Sequence, residues 1–294
     1  GRLIEGKRIL VTGAGGSIGS ELVRQVSAFS PAHLWLFDNS ELNLYAIDLE
    51  LAGRRPDLSR GSVLGDVRDR DRVFALIGEA APDIVFHAAA LKHVPLVETN
   101  VAEGVMTNVV GTVNVADACR QAGTPLMVMV STDKAVNPTS VMGATKRIAE
   151  SYCQALDGER GGGEGTRFVT VRFGNVLGST GSVVPLFQKQ LANGGPLTVT
   201  DPAMTRYFMT VREAVELILQ ASALGGDGAL HVGKIFVLDM GEPVRIVDLA
   251  KQVIRLAGLR PEVDIKIDIV GMRPGEKLAE EKFHGGEPLV ATQC

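Results

Sequence analysis

The chain has 294 residues, of which 45% are hydrophobic and 22% are charged, and its formal net charge is -4 at pH 7. This balance is typical of a folded globular protein and excludes an intrinsically disordered chain. The small negative net charge argues against a surface that wraps a polyanion, so nucleic acid is not an expected partner. No apolar run reaches the roughly 18 to 20 residues that a transmembrane helix requires.

The cysteines and the first residue are relevant to the cellular compartment of the protein. Cys119, Cys153 and Cys294 are far apart and lack metal-ligand spacing, so we expect reduced thiols in the cytoplasm and no metal site. The chain begins at Gly1 without an initiator methionine, which is compatible with the loss of a preceding segment. We therefore expect either a cytoplasmic protein or the soluble cytoplasmic domain of an inner-membrane protein. This segment itself is not expected to contact a membrane.

The first two thirds of the chain alternate short apolar runs with amphipathic stretches. The predicted strands are Arg8–Thr12, His33–Asp38, Ser62–Gly65, Ile84–His87, Leu126–Ser131 and Phe168–Arg172. Strands that alternate with helices predict an α/β fold with a doubly wound parallel sheet and helices on both faces. The glycine-rich run 158–165 predicts a polar surface loop.

The alternation of strand and helix patterns becomes less regular beyond about Gly174, where glycines and prolines are frequent. Helical periods return at Val211–Ala223 and Ile246–Ala257. We interpret residues 174–294 as a smaller lobe that binds substrate and is partly threaded back onto the sheet. A cleft between this lobe and residues 1–173 is the expected place for a ligand.

A glycine-rich turn joins the first predicted strand to the first helix. The segment from Thr12 to Gly19 reads TGAGGSIG. Its glycines permit a tight turn, close approach of the backbone to a pyrophosphate, and close helix packing, while the helix N-terminus faces the negative charge. This context predicts a Rossmann-type dinucleotide-binding domain in residues 1–173. The expected contacts from the turn are Thr12, Gly13, Gly16, Ser17, Ile18 and Gly19.

The ends of the next strands complete the predicted cofactor site. Asp38 ends the second strand, where a carboxylate can accept both ribose hydroxyls of the adenosine half and repels a 2′-phosphate, so NAD is favoured over NADP. Asp66 follows the third strand and is either an adenine contact or an ordinary turn or cap residue. Val67, Ala88 and Ala89 are further expected contacts.

Longer motifs carry a family resemblance. They are AAALKHVPLVE (88–98), STDKAVNP (131–138), GATKR (143–147), RFGNVLGSTGSVVPLF (172–187) and MRPGEK (272–277). With the TGxxGxxG spacing they resemble the extended short-chain dehydrogenase/reductase superfamily, and more closely the UDP-N-acetylglucosamine 4,6-dehydratases of the polysaccharide-biosynthesis type. The resemblance spans nearly the whole chain. It implies bound NAD, a UDP-sugar substrate, and a homodimer paired through the helices around Asn108 and Lys146.

One position departs from the superfamily pattern. The resemblance implies that Lys146 binds the nicotinamide ribose, and most superfamily members carry a tyrosine four residues earlier, where this chain has Met142. A thioether cannot exchange protons. The chain is in this respect similar to a subgroup of dehydratases, typically large and membrane-attached, that carry methionine there. A non-catalytic NAD-binding regulator is the alternative interpretation.

Dehydration of the sugar needs an acid beside a base. Oxidation at C4 acidifies the C5 hydrogen, a base takes that proton, and an acid protonates the departing C6 hydroxyl. Asp133 as the acid and Lys134 as the C5 base fit this requirement, and the two roles could be exchanged; Thr132 is expected to bind the C4 oxygen. An exposed turn is the simpler interpretation of adjacent Asp and Lys. A nucleotide-sugar 4-epimerase would need no such pair and would ordinarily keep the tyrosine.

Further residues are assigned to the substrate or left out of the chemistry. A diphosphate needs cations and hydrogen-bond donors. The expected substrate contacts are Lys92, Asn175, Arg206, Arg273 and Glu276, the last accepting from the uridine ribose. Asn108 has either a structural or a catalytic role, His93 is expected to be a packed loop residue, and Lys277 is expected to be only a surface charge.

Overall fold

The computed structural model describes residues 2–160, 163–179, 181–226 and 231–292. The strands are β1 (Arg8–Thr12), β2 (His33–Asp38), β3 (Arg60–Leu64), β4 (Ile84–His87), β5 (Leu126–Thr132), β6 (Arg167–Phe173), β7 (Asn175–Leu177), β8 (Leu197–Val199), β9 (Thr205–Arg206), β10 (Phe208–Thr210), β11 (Ile235–Val237), β12 (Val244–Arg245) and β13 (Ile267–Ile269). The helices are α1 (Ser17–Ala28), α2 (Glu41–Arg54), α3 (Arg70–Ala80), α4 (Val94–Thr99), α5 (Val101–Val105), α6 (Gly111–Ala122), α7 (Val141–Arg160), α8 (Val183–Ala192), α9 (Val211–Gly226) and α10 (Ile246–Leu256).

Seven parallel strands form the central sheet in the order β11, β6, β5, β4, β1, β2, β3. The part from β3 to β6 has the order of a Rossmann fold, in which the chain starts in the middle and winds outward in both directions. The predicted α/β fold class is confirmed. All six predicted strands form, and the largest shift is at β3, which begins at Arg60 and not at Ser62.

Side chains of each buried strand alternate between two apolar layers. In β1, Ile9 and Val11 pack with α1, α2 and α9, whereas Leu10 packs with α3, α6 and α7 on the other face. This alternation follows from the period of two in a β-strand. Because both faces are covered, the strands read as continuous apolar runs in the sequence.

A third apolar cluster lies outside the sheet. It joins α8, β8 and α10 through buried residues such as Phe187, Leu197 and Ile254. The chain between α8 and α10 also returns to the sheet, since α9 covers one face and β11 pairs with β6. The boundary that we draw between residues 173 and 174 remains a prediction.

The predicted surface loop over 158–165 is wrong at its start. Helix α7 continues through Gly158 and Glu159 to Arg160. Its buried face extends to Leu156 and Asp157, and the packing of that face carries the helix past the glycine. Residues 161 and 162 of the predicted loop lie outside the described residues, as does Cys294, whereas Cys119 and Cys153 are free and buried. In the described ranges, every helix is too short or too polar to span a membrane.

Candidate active site

The glycine turn between β1 and α1 is shaped by close backbone contacts. Gly13 has a φ of 66°, and a Cβ there would lie 2.7 Å from the backbone nitrogen of Ala89. A Cβ on Gly19 would overlap the Gly13 carbonyl oxygen. Gly16 caps α1 without a side-chain capping bond, and the first turn of α1 contains no acidic residue. The N-terminus of α1 therefore offers its positive dipole end to an anion.

Asp38 lies at the carboxyl end of β2, beside this turn. Its Oδ2 accepts a hydrogen bond from the Gly15 nitrogen at 2.8 Å, and its Oδ1 accepts one from the Ser40 nitrogen at 2.8 Å. These backbone donors fix the carboxylate, and each oxygen keeps a second lone pair for another donor. The geometry therefore fits a ribose diol next to a pyrophosphate.

Asp66 forms a turn of its own. It accepts hydrogen bonds from the backbone and the guanidinium of Arg68 and from the amide of Asn39. The structure thus shows the turn role that was one of the two interpretations of Asp66. Asn114 binds the carbonyl oxygens of Val67 and Arg68, so α6 holds this loop in place. An adenine contact by Asp66 or Val67 remains a prediction.

His87 at the end of β4 is a buried residue that the sequence analysis did not single out. Its Nδ1 lies 2.7 Å from Thr12 Oγ1 and its Nε2 lies 3.0 Å from Thr112 Oγ1. Thr112 donates its own proton to the Asn108 carbonyl, so His87 Nε2 donates to Thr112, and Nδ1 accepts from Thr12. Burial, together with the charge of Lys146, lowers the pKa of His87 to about 3. The Thr12 hydroxyl is therefore occupied inside the sheet, and any contact of Thr12 with a dinucleotide depends on its backbone.

The predicted acid and base follow β5 directly. Asp133 and Lys134 lie in a 3-10 turn that spans Asp133–Ala135. Thr132 Oγ1 donates to Asp133 Oδ1 at 3.0 Å, and Lys134 Nζ donates to the same oxygen at 3.0 Å. Asp133 is 1% exposed, so it lies behind the half-buried Thr132 and Lys134. The interpretation of this pair as an exposed turn is wrong, because the turn packs against the sheet and α7.

Two glycines make room for this turn. A Cβ on Gly174 would lie 2.9 Å from Asp133 Oδ2, and a Cβ on Gly143 would overlap the Lys134 carbonyl oxygen. The first glycine belongs to the RFGNV motif and the second to the GATKR motif. Close packing of β5, β7 and α7 around Asp133 and Lys134 thus explains why both motifs contain glycine.

Asn175 and Glu280 bring the smaller lobe to the same place. Lys134 Nζ donates to Asn175 Oδ1 at 3.0 Å and lies 3.8 Å from Glu280 Oε1. Glu280 also lies 3.9 Å from Arg206 Nε. Asn175 accepts a hydrogen bond from Lys134, and its contact with substrate remains a prediction. Glu280 was missed, because in the sequence it looks no different from its exposed neighbour Glu281.

Helix α7 contains Met142 and Lys146, and Lys146 lies beside the carboxyl end of β5. Met142 is 3% exposed and its side chain offers no proton to the cleft. Lys146 is 4% exposed, and its Nζ donates to the Val130 carbonyl at 2.7 Å. Burial lowers the pKa of Lys146 to about 8, although Glu150 acts in the opposite direction. At pH 7 most molecules therefore carry a buried ammonium here.

Burying the Lys146 ammonium costs free energy, so we expect the stability difference between wild-type protein and a Lys146→Met variant to depend on pH. Replacing Lys146 by Met is expected to raise the free energy of unfolding by up to about 3 kcal/mol at pH 7, less the value of the hydrogen bond to Val130. The folded-state pKa lies below the unfolded one, so the penalty is full below about pH 8. It fades as the pH rises from 8 toward the ordinary lysine value. Denaturant unfolding of wild-type protein and the variant at pH 7 and pH 10 measures this penalty. The same difference in free energy of unfolding at both pH values would contradict a buried charge on Lys146.

Asn108 has the structural role that was one of its two interpretations. It lies in a π-helical turn, Met106–Val110, between α5 and α6. Its Oδ1 accepts from the Leu91 nitrogen at 2.8 Å, and its Nδ2 donates to the Leu91 carbonyl and to Thr145 Oγ1. Asn108 thereby ties the loop after β4 to α7, one residue before Lys146.

The remaining predicted substrate residues are Lys92, Arg273 and Glu276. Lys92 is exposed in the loop after β4, and His93 packs against Gly181, as expected for a loop residue. Arg273 is exposed, and Glu276 accepts from its backbone nitrogen at 2.9 Å. Their contacts with a UDP-sugar remain predictions.

Two basic residues of the smaller lobe are enclosed to different degrees, Arg206 being buried and Lys277 half-buried. The side chain of Lys277 is 11% exposed and its Nζ donates to the Val136 carbonyl at 2.8 Å, so its description as a surface charge is wrong. Arg206 is 7% exposed and donates to the carbonyls of Thr205 and Leu278. Its contact with a diphosphate remains a prediction.

The family follows from a match over nearly the whole chain. Residues 9–294 match the family model described as "Polysaccharide biosynthesis protein". The chain belongs to this polysaccharide biosynthesis family. The family assignment confirms the resemblance carried by the STDKAVNP, RFGNV and MRPGEK motifs.

Similar proteins carry both general and specific names. The chain is 53% identical to the probable polysaccharide biosynthesis protein EpsC of Bacillus subtilis over 97% of its own length, but it spans only 46% of that relative. It is 36% identical to a UDP-N-acetylglucosamine 4,6-dehydratase (inverting) of Campylobacter jejuni, over 93% of the chain and 76% of the relative. It is also 35% identical to a UDP-glucose 4-epimerase of Rickettsia rickettsii, over 97% of the chain and 80% of the relative.

Solved structures show the same architecture. The dTDP-glucose 4,6-dehydratase DesIV of Streptomyces venezuelae, solved with NAD and TYD bound, is 25% identical and superposes with a TM-score of 0.79. The superposition covers 97% of this chain and 92% of that one. The family's structural relatives therefore include NAD-dependent nucleotide-sugar enzymes.

Proposed function

We propose that this chain dehydrates UDP-N-acetylglucosamine to a UDP-4-keto-6-deoxy-N-acetylhexosamine with bound NAD, for bacterial surface polysaccharide or glycan synthesis. The observation that carries the proposal is the Asp133 and Lys134 pair, packed at the end of β5 beside Thr132 and held by Asn175. An acid and a base side by side at the cofactor end of the sheet are what elimination across C5 and C6 requires. The relative named as a UDP-N-acetylglucosamine 4,6-dehydratase supports the same substrate.

The turn, Asp38 and Lys146 would hold the cofactor. The N-terminus of α1 would face the pyrophosphate, Asp38 would accept from the adenosine ribose, and Lys146 would donate to the nicotinamide ribose. NAD, when bound, supplies the acceptor for a hydride from C4 and the donor that returns it to C6. The carboxylate of Asp38 and its fixed orientation support NAD over NADP.

The protein must move the proton of the C4 hydroxyl without a tyrosine. Thr132 Oγ1 donates to Asp133 Oδ1. When the Thr132 hydroxyl takes the C4 proton and passes its own to Asp133, the O–H bond at C4 breaks, Thr132 exchanges one O–H bond for another, and one O–H bond forms on Asp133. Asp133 then holds the proton that the departing C6 hydroxyl needs. This route makes Met142 compatible with turnover, because no proton passes through position 142.

Lys134 takes the second proton. Its side chain is partly exposed, and its amine would accept the C5 hydrogen as a proton while the C6 oxygen leaves with the proton from Asp133. After reduction at C6, the Lys134 ammonium returns a proton to C5. The protons then balance over the cycle, since the C4 hydroxyl proton leaves in water and the C5 proton is returned.

Incubation of the purified chain with UDP-N-acetylglucosamine tests the proposal. The expected product is lighter by one water, detected by mass spectrometry, with no requirement for added cofactor in stoichiometric amount. UDP-glucose serves as a comparison that tests the acetamido group. An unchanged mass with inversion at C4 would indicate the second candidate, a 4-epimerase, which the relative of that name favours. Bound NAD without turnover of either sugar would indicate a regulator.

We further propose a homodimer paired through the helices around Asn108 and Lys146, which are the segment from α5 to α6 and helix α7. Several apolar side chains of this region are exposed, including Val105, Met106 and Ile148. Such surfaces on adjacent helices are typical of subunit contacts. Light scattering of the purified chain distinguishes a dimer from a monomer. Placement of the chain in the cytoplasm, as an independent protein or as the cytoplasmic part of an inner-membrane protein, remains a prediction.

A further inference from the structure

Lys134 has three oxygen atoms around its amine. Asp133 Oδ1 and Asn175 Oδ1 lie at 3.0 Å, and Glu280 Oε1 lies at 3.8 Å. A lysine ammonium has three N–H donors and no acceptor. This arrangement suits the ammonium form, yet a C5 base must start each cycle as a neutral amine.

The proton of Lys134 needs a destination other than Asp133. In the proposed function Asp133 starts ionised, because it receives the C4 proton through Thr132. If Asp133 held the Lys134 proton, the carboxyl could not take the C4 proton. Glu280 is the other carboxylate beside the amine.

Glu280 is a buried group without a full set of partners. Its side chain is 4% exposed, and its Oε2 has no hydrogen-bond partner among the described residues. Burial is the main cause that raises the pKa of Glu280, and the charge of Asp133 adds to it. Lys134, Arg206 and Lys277 act in the opposite direction. On balance Glu280 holds a proton more readily than an exposed glutamate.

The segment after the MRPGEK motif fixes Glu280 in this position. Lys277 Nζ donates to the Val136 carbonyl at 2.8 Å, next to the Asp133–Ala135 turn. The Thr205 nitrogen donates to the Leu278 carbonyl at 2.9 Å, and Lys282 Nζ donates to the Gly241 carbonyl at 3.0 Å. Because the segment is held before and after Glu280, the carboxyl group points inward to Lys134.

We propose that Glu280 is a positioning residue that acts through Lys134 by holding the proton that Lys134 must release. The transfer requires the 3.8 Å between Lys134 Nζ and Glu280 Oε1 to shorten to hydrogen-bond distance. One N–H bond of the ammonium then breaks and one O–H bond forms on Glu280, which leaves a neutral amine toward C5 and Asp133 ionised. The charged pair and the neutral pair contain the same number of protons, so their ratio does not depend on pH. This inference rests on the proposed function.

The variant Glu280→Gln tests the inference through the pH profile. Without the carboxylate, Lys134 must lose its proton to solvent before each cycle. The rate of water loss is expected to fall at least about tenfold at pH 7 and to rise about tenfold per pH unit above it, while the wild-type profile stays flat in that range. Reduced cofactor is expected to accumulate in the variant, seen by its near-ultraviolet absorbance, because C4 oxidation precedes the step that needs Lys134.

Glu281→Gln is the matched control. Glu281 is the next residue, its side chain is 48% exposed, and it lies 3.5 Å from Lys277 Nζ. This variant is expected to keep the wild-type rate within about twofold and the flat profile. A Glu280→Gln variant with the same flat profile and no accumulation of reduced cofactor would overturn the inference.

A third variant, Glu280→Asp, tests the inference if Glu280→Gln does not fold. Glu280→Asp keeps a carboxyl group with one methylene less and is expected to give a lower rate with a flat profile. A steep rise with pH in this variant would also overturn the inference. If wild-type protein does not release water from UDP-N-acetylglucosamine at all, the proposed function fails, which is a different result from a flat Glu280→Gln profile.

Discussion

Replacing Asp133 by Asn, or Lys134 by Ala, is expected to lower the rate of water loss from the UDP-sugar by about 100- to 10,000-fold while NAD stays bound. The amide of Asn keeps the size of the carboxyl group but cannot carry the C4 proton to the C6 oxygen. Alanine removes the amine that would take the C5 proton. Neither side chain belongs to the turn between β1 and α1, so cofactor binding does not depend on them.

The two variants should differ in the amount of reduced cofactor that accumulates. With Lys134→Ala, C4 oxidation is still possible because Thr132 and Asp133 remain, and reduced cofactor is expected to accumulate on mixing with substrate. With Asp133→Asn, the C4 proton has no acceptor, so less reduced cofactor is expected. Stopped-flow absorbance and product mass measure both effects.

The control for loss of a lysine is Lys189→Ala. Lys189 is exposed in α8, away from the Asp133–Ala135 turn, and its replacement is expected to leave the rate within about twofold. Full activity in either Asp133→Asn or Lys134→Ala would refute the assignment of acid and base. Loss of bound NAD in both variants would indicate that the turn after β5 supports the cofactor site and not the chemistry.

The second large effect is expected for Gly19→Ala. A Cβ on Gly19 would overlap the Gly13 carbonyl oxygen, and backbone atoms cannot move away as a flexible side chain could. The turn between β1 and α1 must open, which moves the N-terminus of α1 away from the pyrophosphate position. We expect loss of bound NAD and a lower melting temperature, measured by cofactor release and thermal unfolding.

Gly78→Ala is the matched control. Gly78 lies in α3, and a Cβ there would have no heavy atom within 4 Å. Alanine has a higher helix propensity than glycine, so this variant is expected to be neutral or stabilised by up to about 1 kcal/mol, with NAD retained. A Gly19→Ala protein that keeps both its cofactor and its melting temperature would show that the turn tolerates the extra carbon.

Much of the site could be predicted from the sequence because it depends on local chemistry. The turn from Thr12 to Gly19 requires glycine for backbone reasons, and Asp38 comes at the end of a strand whose apolar run is visible. Asp133 and Lys134 are adjacent in sequence, so their contact needs no long-range information. Helix α7 was misjudged at its end because propensity favours a break at Gly158, whereas the packing of Leu156 and Asp157 carries the helix to Arg160.

The sequence by itself determined the family, the parallel sheet, the glycine turn, and the adjacent Asp133 and Lys134 after β5, since each follows from the period of the apolar residues or from a short motif. Only the tertiary structure decided the surroundings of Lys134. Glu280 lies 146 residues further along the chain, and its exposed neighbour Glu281 has the same side chain. Which of the two carboxylates reaches the amine depends on where this segment is anchored. Lys277 donates to the Val136 carbonyl, and the Leu278 carbonyl accepts from the Thr205 nitrogen. Backbone carbonyls are common to all residues, so the sequence does not show which of them is used.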